Sequence, residues 1–157
     1  DINTVITVAQ VDTVLTYDPT VPGGWLTAVR GTDGNLTGTL TTIDAQRGYW
    51  IHTSNDDPIK TDIPAFSVQS TPPEIALVAG WNLVPVVEVV AYTDDTVDAD
   101  TYFTGLTWSK AYGFDTATDV YTEVLPTDDV TSPVTTDDLS VGKGYWVFLG
   151  KAGTLIP

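Results

Sequence analysis

The sequence predicts an all-β chain of two small antiparallel modules, sandwich-like or barrel-like, related by internal duplication. Short β-branched and aromatic segments alternate with Gly, Pro, Asn and Asp clusters roughly every eight to twelve positions. Segments with a helical period are nearly missing. An ordered series of matches also recurs at a nearly constant offset, which is how a repeated unit appears in sequence.

Taken in chain order, Val5–Val8, Thr13–Tyr17, Trp25–Val29, Leu36–Ile43, Tyr49–His52 and Tyr145–Leu149 read as strands, each bounded by residues that break a ladder. Gly31-Thr32-Asp33-Gly34-Asn35 joins two of them. It contains Asp-Gly, the commonest hairpin dipeptide, because both central turn positions need positive φ. Pro72-Pro73 favours extended backbone and cannot continue a ladder, so 66–74 is the expected linker between a first module, 1–65, and a second, 75–157.

The duplication rests on particular residues. Gly48-Tyr49-Trp50-Ile51 returns as Gly144-Tyr145-Trp146-Val147, an offset of 96 (144 minus 48). Trp25 and Tyr121, and Ile43 and Leu139, stand at the same offset, while Tyr17-Asp18 matches Phe114-Asp115 at 97. Thr61-Asp62-Ile63-Pro64 resembles Thr154-Leu155-Ile156-Pro157. Gly80-Trp81-Asn82-Leu83 opens the second copy and has no counterpart in the first, so the first module is expected to lack its opening strand or to take it from elsewhere.

An opening Gly80–Leu83, an aromatic-Asp turn at Phe114-Asp115 and a closing Gly142-Lys143-Gly144-Tyr145-Trp146 resemble a repeat of large archaeal and bacterial surface proteins, surface-layer-like and adhesin-like, which also occurs in viral surface proteins. The resemblance covers most of 75–157 and, more weakly, 12–64, where Arg47 stands in place of the lysine. It implies an extracellular β-rich structural repeat and brings no catalytic residues.

Charge bounds the partners. Twenty-one acidic residues oppose six Lys and Arg, a formal net charge of −15, and Glu occurs only at Glu74, Glu88 and Glu123. Such a chain repels phosphate backbones and anionic lipid, so neither nucleic acid nor membrane insertion is expected. Self-repulsion of this size is relieved in concentrated salt, which makes a halophilic setting the expectation. With no cysteine, a disulfide framework and thiolate chemistry are absent. The chain begins at Asp1 and not at Met, which fits export or proteolytic maturation.

Candidate residues divide into anchors and weaker sites. Trp25, Trp50, Trp81, Trp146, Tyr49 and Tyr145 are expected to be structural aromatic anchors. One ring of each Tyr-Trp pair faces the core, and core packing is the reading adopted for Trp50, Trp81 and Trp146. A glycan platform would use exposed rings instead, with Tyr102 and Tyr112 the tyrosines to test. Asp94, Asp95, Asp98 and Asp100 place four carboxylates within seven residues, a pattern a calcium ion could use, although a solvated acidic turn is the reading preferred in a chain acidic throughout; Asp56-Asp57, Asp128-Asp129 and Asp137-Asp138 are similar pairs. Asn35-Leu36-Thr37 is a glycosylation sequon. His52 is the single histidine, leaving no zinc cluster, and paired Asp in polar turns lack the apolar pocket that raises a catalytic carboxyl.

These features predict a non-enzymatic structural protein of a cell or virion surface, contacting its own copies or neighbouring surface proteins. A virion turret, decoration or tail-fibre component and a carbohydrate-binding adhesin module are the alternatives.

Overall fold

A computed structural model describes residues 1–55, 74–87, 95–126 and 136–157. It is mostly β, in several small antiparallel sheets. The chain forms two compact units, Asp1–Thr71 and Pro72–Pro157. Residues 66–73 of the expected linker 66–74, the 61–64 segment and the pairs Asp56-Asp57 and Asp128-Asp129 lie outside the described residues. Among those described, no helix is long and apolar enough to cross a membrane.

In the first unit a one-turn helix α1 (Ile2–Val5) precedes β1 (Val11–Tyr17), β2 (Trp25–Arg30), β3 (Leu36–Gly38) and β4 (Trp50–Thr53). The four strands form one sheet in the order β3-β2-β1-β4. Ile2, Ile6, Val11, Val14, Ala28, Leu36 and Leu40 build a core against one face of that sheet. Each buried Ile, Val or Leu side chain among them contributes about 1.5–3 kcal/mol.

The second unit runs β5 (Ile75–Leu77), β6 (Gly80–Pro85), β7 (Thr96–Asp98), helix α2 (Ala99–Tyr102), β8 (Trp108–Asp115), β9 (Val120–Val124), β10 (Asp138–Ser140), β11 (Gly144–Leu149) and β12 (Gly153–Leu155). Its main sheet has the order β6-β11-β8-β9, and β7 with β10 and β5 with β12 form two-stranded ribbons. Val97, Leu139, Ile75, Leu77 and Leu155 from the ribbons share one core with Val84, Ala111, Val124, Tyr145, Val147 and Leu149 of the sheet. The ribbons thus cover the sheet's inner face in a sandwich-like arrangement.

The two sheets correspond in register over three strands. Leu15 pairs with Trp50 and Val14 with Ile51; Tyr112 pairs with Trp146 and Ala111 with Val147. Both pairings break at a bulge, between Val11 and Thr13 in one and between Phe148 and Leu149 in the other. Asp1 caps α1 by accepting the Asn3 N–H, and Asp98 caps α2 by accepting that of Thr101. Ile2 N–H donates to the Thr41 carbonyl, and Ala99 N–H to that of Asp137.

Three local expectations differ from the fold. Val5–Val8 is not a strand: the Asp1 cap and the Ile6 N–H to Ile2 carbonyl bond draw the start of the segment into a helical turn, because Ile2 and Ile6 are both wanted on the inner side. Leu36–Ile43 pairs only as far as Gly38, after which Leu40 turns into the core. The hairpin through Gly31–Asn35 lies between β2 and β3 as expected, but of its Asp-Gly pair only Gly34 has a positive φ. Arg30 pairs with Leu36, and Gly31 N–H donates to the Asn35 carbonyl across a five-residue loop. Gly34, at φ 82°, sits in the left-handed region there.

Candidate functional site

Strand alternation sends successive side chains to opposite faces, and β11 shows the consequence. Tyr145, Val147 and Leu149 are buried in the core, so Trp146 and Phe148 point outward. Register then assembles the outer face: Trp146 lies between Leu83 and Tyr112, and Phe148 between Trp81 and Lys110. The Trp81 ring meets Phe148 edge-on at 5.2 Å and Tyr112 at 5.9 Å. Phe114 and Tyr121, paired across β8 and β9, extend the same face with rings 5.1 Å apart. Trp81 is 37% and Tyr121 52% exposed.

Polar groups border these rings. Tyr112 hydroxyl donates to Glu123 Oε1 at 2.7 Å, and that hydrogen bond, which the phenol would lose on ionising, pushes its pKa up. Lys110 Nζ lies 5.9 Å from the Trp81 ring centroid, within cation–π range. The first unit has the smaller version. Tyr17 and Trp25 pair across β1 and β2 with rings 5.5 Å apart, and Trp50 stands beside Leu15 on that face. At its border His52 Nδ1 meets Asp12 Oδ1 at 2.7 Å, and this bond lowers the Asp12 pKa.

Core packing was the expectation for the repeated tryptophans, and the structure corrects it. The tyrosines are the inward members: Tyr145 is buried with its hydroxyl accepting the Ser140 N–H, and Tyr49 packs against the first core and accepts the Asp44 N–H. Trp50 and Trp146 are partly exposed on the outer faces, Trp81 more so, and Trp25 is 45% exposed. The physical reason is the hydroxyl bond. It fixes each tyrosine inside, and period two then places the following tryptophan outside. Tyr102, expected to be exposed, is also corrected: it is buried, and its hydroxyl donates to the Pro85 carbonyl.

Of the acidic run, Asp94 lies outside the described residues. Asp98 caps α2, and Asp100 Oδ1 accepts the Trp108 indole N–H. Asp95 accepts the Val141 N–H through its backbone carbonyl. Among the described residues no three His, Asp or Glu groups converge in metal-ligand fashion. Asn35 is exposed, but its side-chain amide donates to Asp33 Oδ2.

A cleft of about 340 Å³ lies beside the β8–β9 turn, lined by Asp115, Thr122, Thr136, Asp138, Lys143 and Tyr145 among others. Asp115 accepts the Ala117 N–H and the Thr118 hydroxyl, which lower its pKa, and the charge of Lys143 adds to this. Among the described carboxyls, those displaced from their ordinary ionisation, Asp12, Asp18, Asp33 and Asp115, all move downward. They are poised as permanent anions and not as proton donors near neutrality.

Phe148, Lys110, Glu123 and Tyr121 belong to the outer face but are not among the candidate site residues read from the sequence. The alternation Lys110-Tyr112-Phe114 and Trp146-Phe148 was a readable signal for part of it. No protein-family model, curated protein sequence or solved structure matches the chain.

Proposed function

We propose that this is a non-enzymatic structural protein of a cell or virion exterior, adapted to concentrated salt, whose modules contact their neighbours through the aromatic outer faces of their sheets. The observation that carries the reading is the division of aromatic residues in the second unit. Its core closes with Tyr102, Phe103 and Tyr145 inside, while six further rings stay on the opposite face. Rings in that position add little to the module's own core and match the aromatic enrichment of protein interfaces. The shared registers and caps support one β unit copied twice, as an interlocking surface protein would need.

The test is sedimentation in molar salt across a concentration series. Self-association is expected, and Trp81→Ser with Tyr121→Ser should weaken it at least tenfold while each exchange costs no more than about 1.5 kcal/mol of fold stability. A chain that stays monomeric, or a hydrolase activity lost on replacing one carboxylate, overturns the reading. Carbohydrate binding is the second reading, favoured by the Trp81 ring standing beside the Tyr112–Glu123 hydrogen bond. Retention on a glycan array that disappears in Trp81→Ser and persists in Trp25→Ser would select it.

A further inference from the structure

Asp18 and Asp115 hold matching places, one just after β1 and the other at the end of β8, each preceded by an aromatic residue paired with Trp25 or Tyr121. Arg47 and Lys143 match in the same way, each directly before Gly-Tyr-Trp. In the first unit Arg47 donates to Asp18 Oδ2 at 2.7 Å and joins the two directly. In the second, Lys143 forms no ion pair among the described residues, and the space beside Asp115 is the cleft of about 340 Å³. Its lining is rich in polar groups. Leu139 and Val97 of the β7–β10 ribbon enter the core, so strand alternation turns their neighbours Ser140 and Thr96, paired with each other, away from it. Among the described residues the side chains of Thr96, Thr122, Ser140, Asp138 and Lys143 have no hydrogen-bond partner, and all five line the cleft. Asp115 accepts the Ala117 N–H and the Thr118 hydroxyl and keeps capacity for more, since a carboxylate offers about four acceptor positions.

The chemistry of these groups selects a ligand class. An ammonium only donates, a carboxylate only accepts and a hydroxyl does both. A simple cation would be opposed by Lys143, and a simple anion by Asp115 and Asp138. A neutral ligand carrying donors and acceptors side by side satisfies all of them, and the hydroxyls of a sugar ring are arranged in that way. The volume lies at the small end of the range for ligand pockets, roughly 300–1,000 Å³, which suits one or two such rings. We infer that this cleft is a saccharide-binding site, in which Asp115 and Asp138 accept from sugar hydroxyls, Lys143 donates to one, and Thr96, Thr122 and Ser140 complete the set. Trp81 and β6 take no part in it, so the site is independent of the outer aromatic face.

The probes are glucose, galactose and N-acetylglucosamine, each titrated to tens of millimolar into the full chain in molar salt while backbone amide resonances are followed by NMR. At least one should give saturable shifts at the amides of Thr96, Thr122, Ser140 and Lys143, with a dissociation constant of about 1 mM or below. Lys143→Arg keeps the charge and supplies the guanidinium found at the matching place in the first unit, so it should reach Asp115, close the cleft and weaken binding about tenfold or more. Thr122→Tyr fills the cleft from an exposed strand position that suits an aromatic residue, and should weaken binding as much. The amide spectrum of each variant reports its fold in the same measurement. No saturable shift with any of the three sugars, shifts centred on Trp81, or binding that survives either exchange would each overturn the inference.

Discussion

Asn82 explains much of the Gly-Trp-Asn motif at the level of single residues. Its buried side chain accepts the Val78 N–H and donates to the carbonyls of Val78 and Gly80, closing the turn between β5 and β6. Gly80 supplies the positive φ of 96° that this turn requires, and Trp81 is left on the outer face. Replacing Asn82 with Ala leaves buried backbone groups unpaired, so a loss of about 1–3 kcal/mol is expected in the second unit's urea unfolding. In the first unit Asp18 is the buried polar side chain that holds a turn, accepting the Thr20 N–H and hydroxyl. The Thr20 hydroxyl is the main cause of its lowered pKa, opposed by burial and reinforced by the Thr20 N–H and by Arg47 at 2.7 Å. A depressed carboxyl stabilises the fold above its unfolded pKa and loses that contribution as pH falls through its folded pKa. Asp18→Asn should therefore cost about 1–3 kcal/mol near neutral pH. The gap between its melting curve and that of the wild type should shrink as pH drops through and below the usual 3.8; a gap independent of pH would mean the ionised form contributes nothing.

At the scale of elements, the tyrosine hydroxyls tie each closing strand to the segment before it. Tyr145 accepts the Ser140 N–H at the end of β10, and Tyr49 accepts the Asp44 N–H at the corresponding place. Tyr145→Phe keeps the ring and removes the acceptor, so denaturant unfolding should show about 1–2 kcal/mol lost. Tyr49→Phe should cost less, because its Asp44 partner is exposed and water can replace the bond. Equal losses at both sites would contradict the difference in burial. The hairpin at Gly31–Asn35 teaches a related point. Asp-Gly identified the turn, but Arg30 opposite Leu36 set its length, because the strand faces had to match the core.

For the whole molecule, charge is the governing quantity. Twenty-one carboxylates against six cations, at −15, repel over a screening length of about 10 Å in 0.1 M salt, which contracts to about 3 Å at 1 M. Melting temperature should rise as sodium chloride is increased through this range. For modules of this size each kcal/mol gained moves the midpoint by about 4–8 °C. Calorimetry in stepped salt checks this, and a midpoint that falls or stays flat removes the case for adaptation to brine.

Much of this protein was legible in its residues before any fold was known: the all-β class, the central strands Thr13–Tyr17, Trp25–Val29, Tyr49–His52 and Tyr145–Leu149, and the hairpin at Asp33-Gly34. These depend on local preference and on period two, both of which are properties of neighbouring residues. The spacing also separated Tyr from Trp onto two faces. Which face became the core was decided only by tertiary structure, because the hydroxyl partners Asp44 and Ser140 come from outside the strand and the rings meet through cross-strand register. The same holds for the outer aromatic face, which arises from which strands lie side by side, and pairing between distant segments leaves no mark on either segment alone.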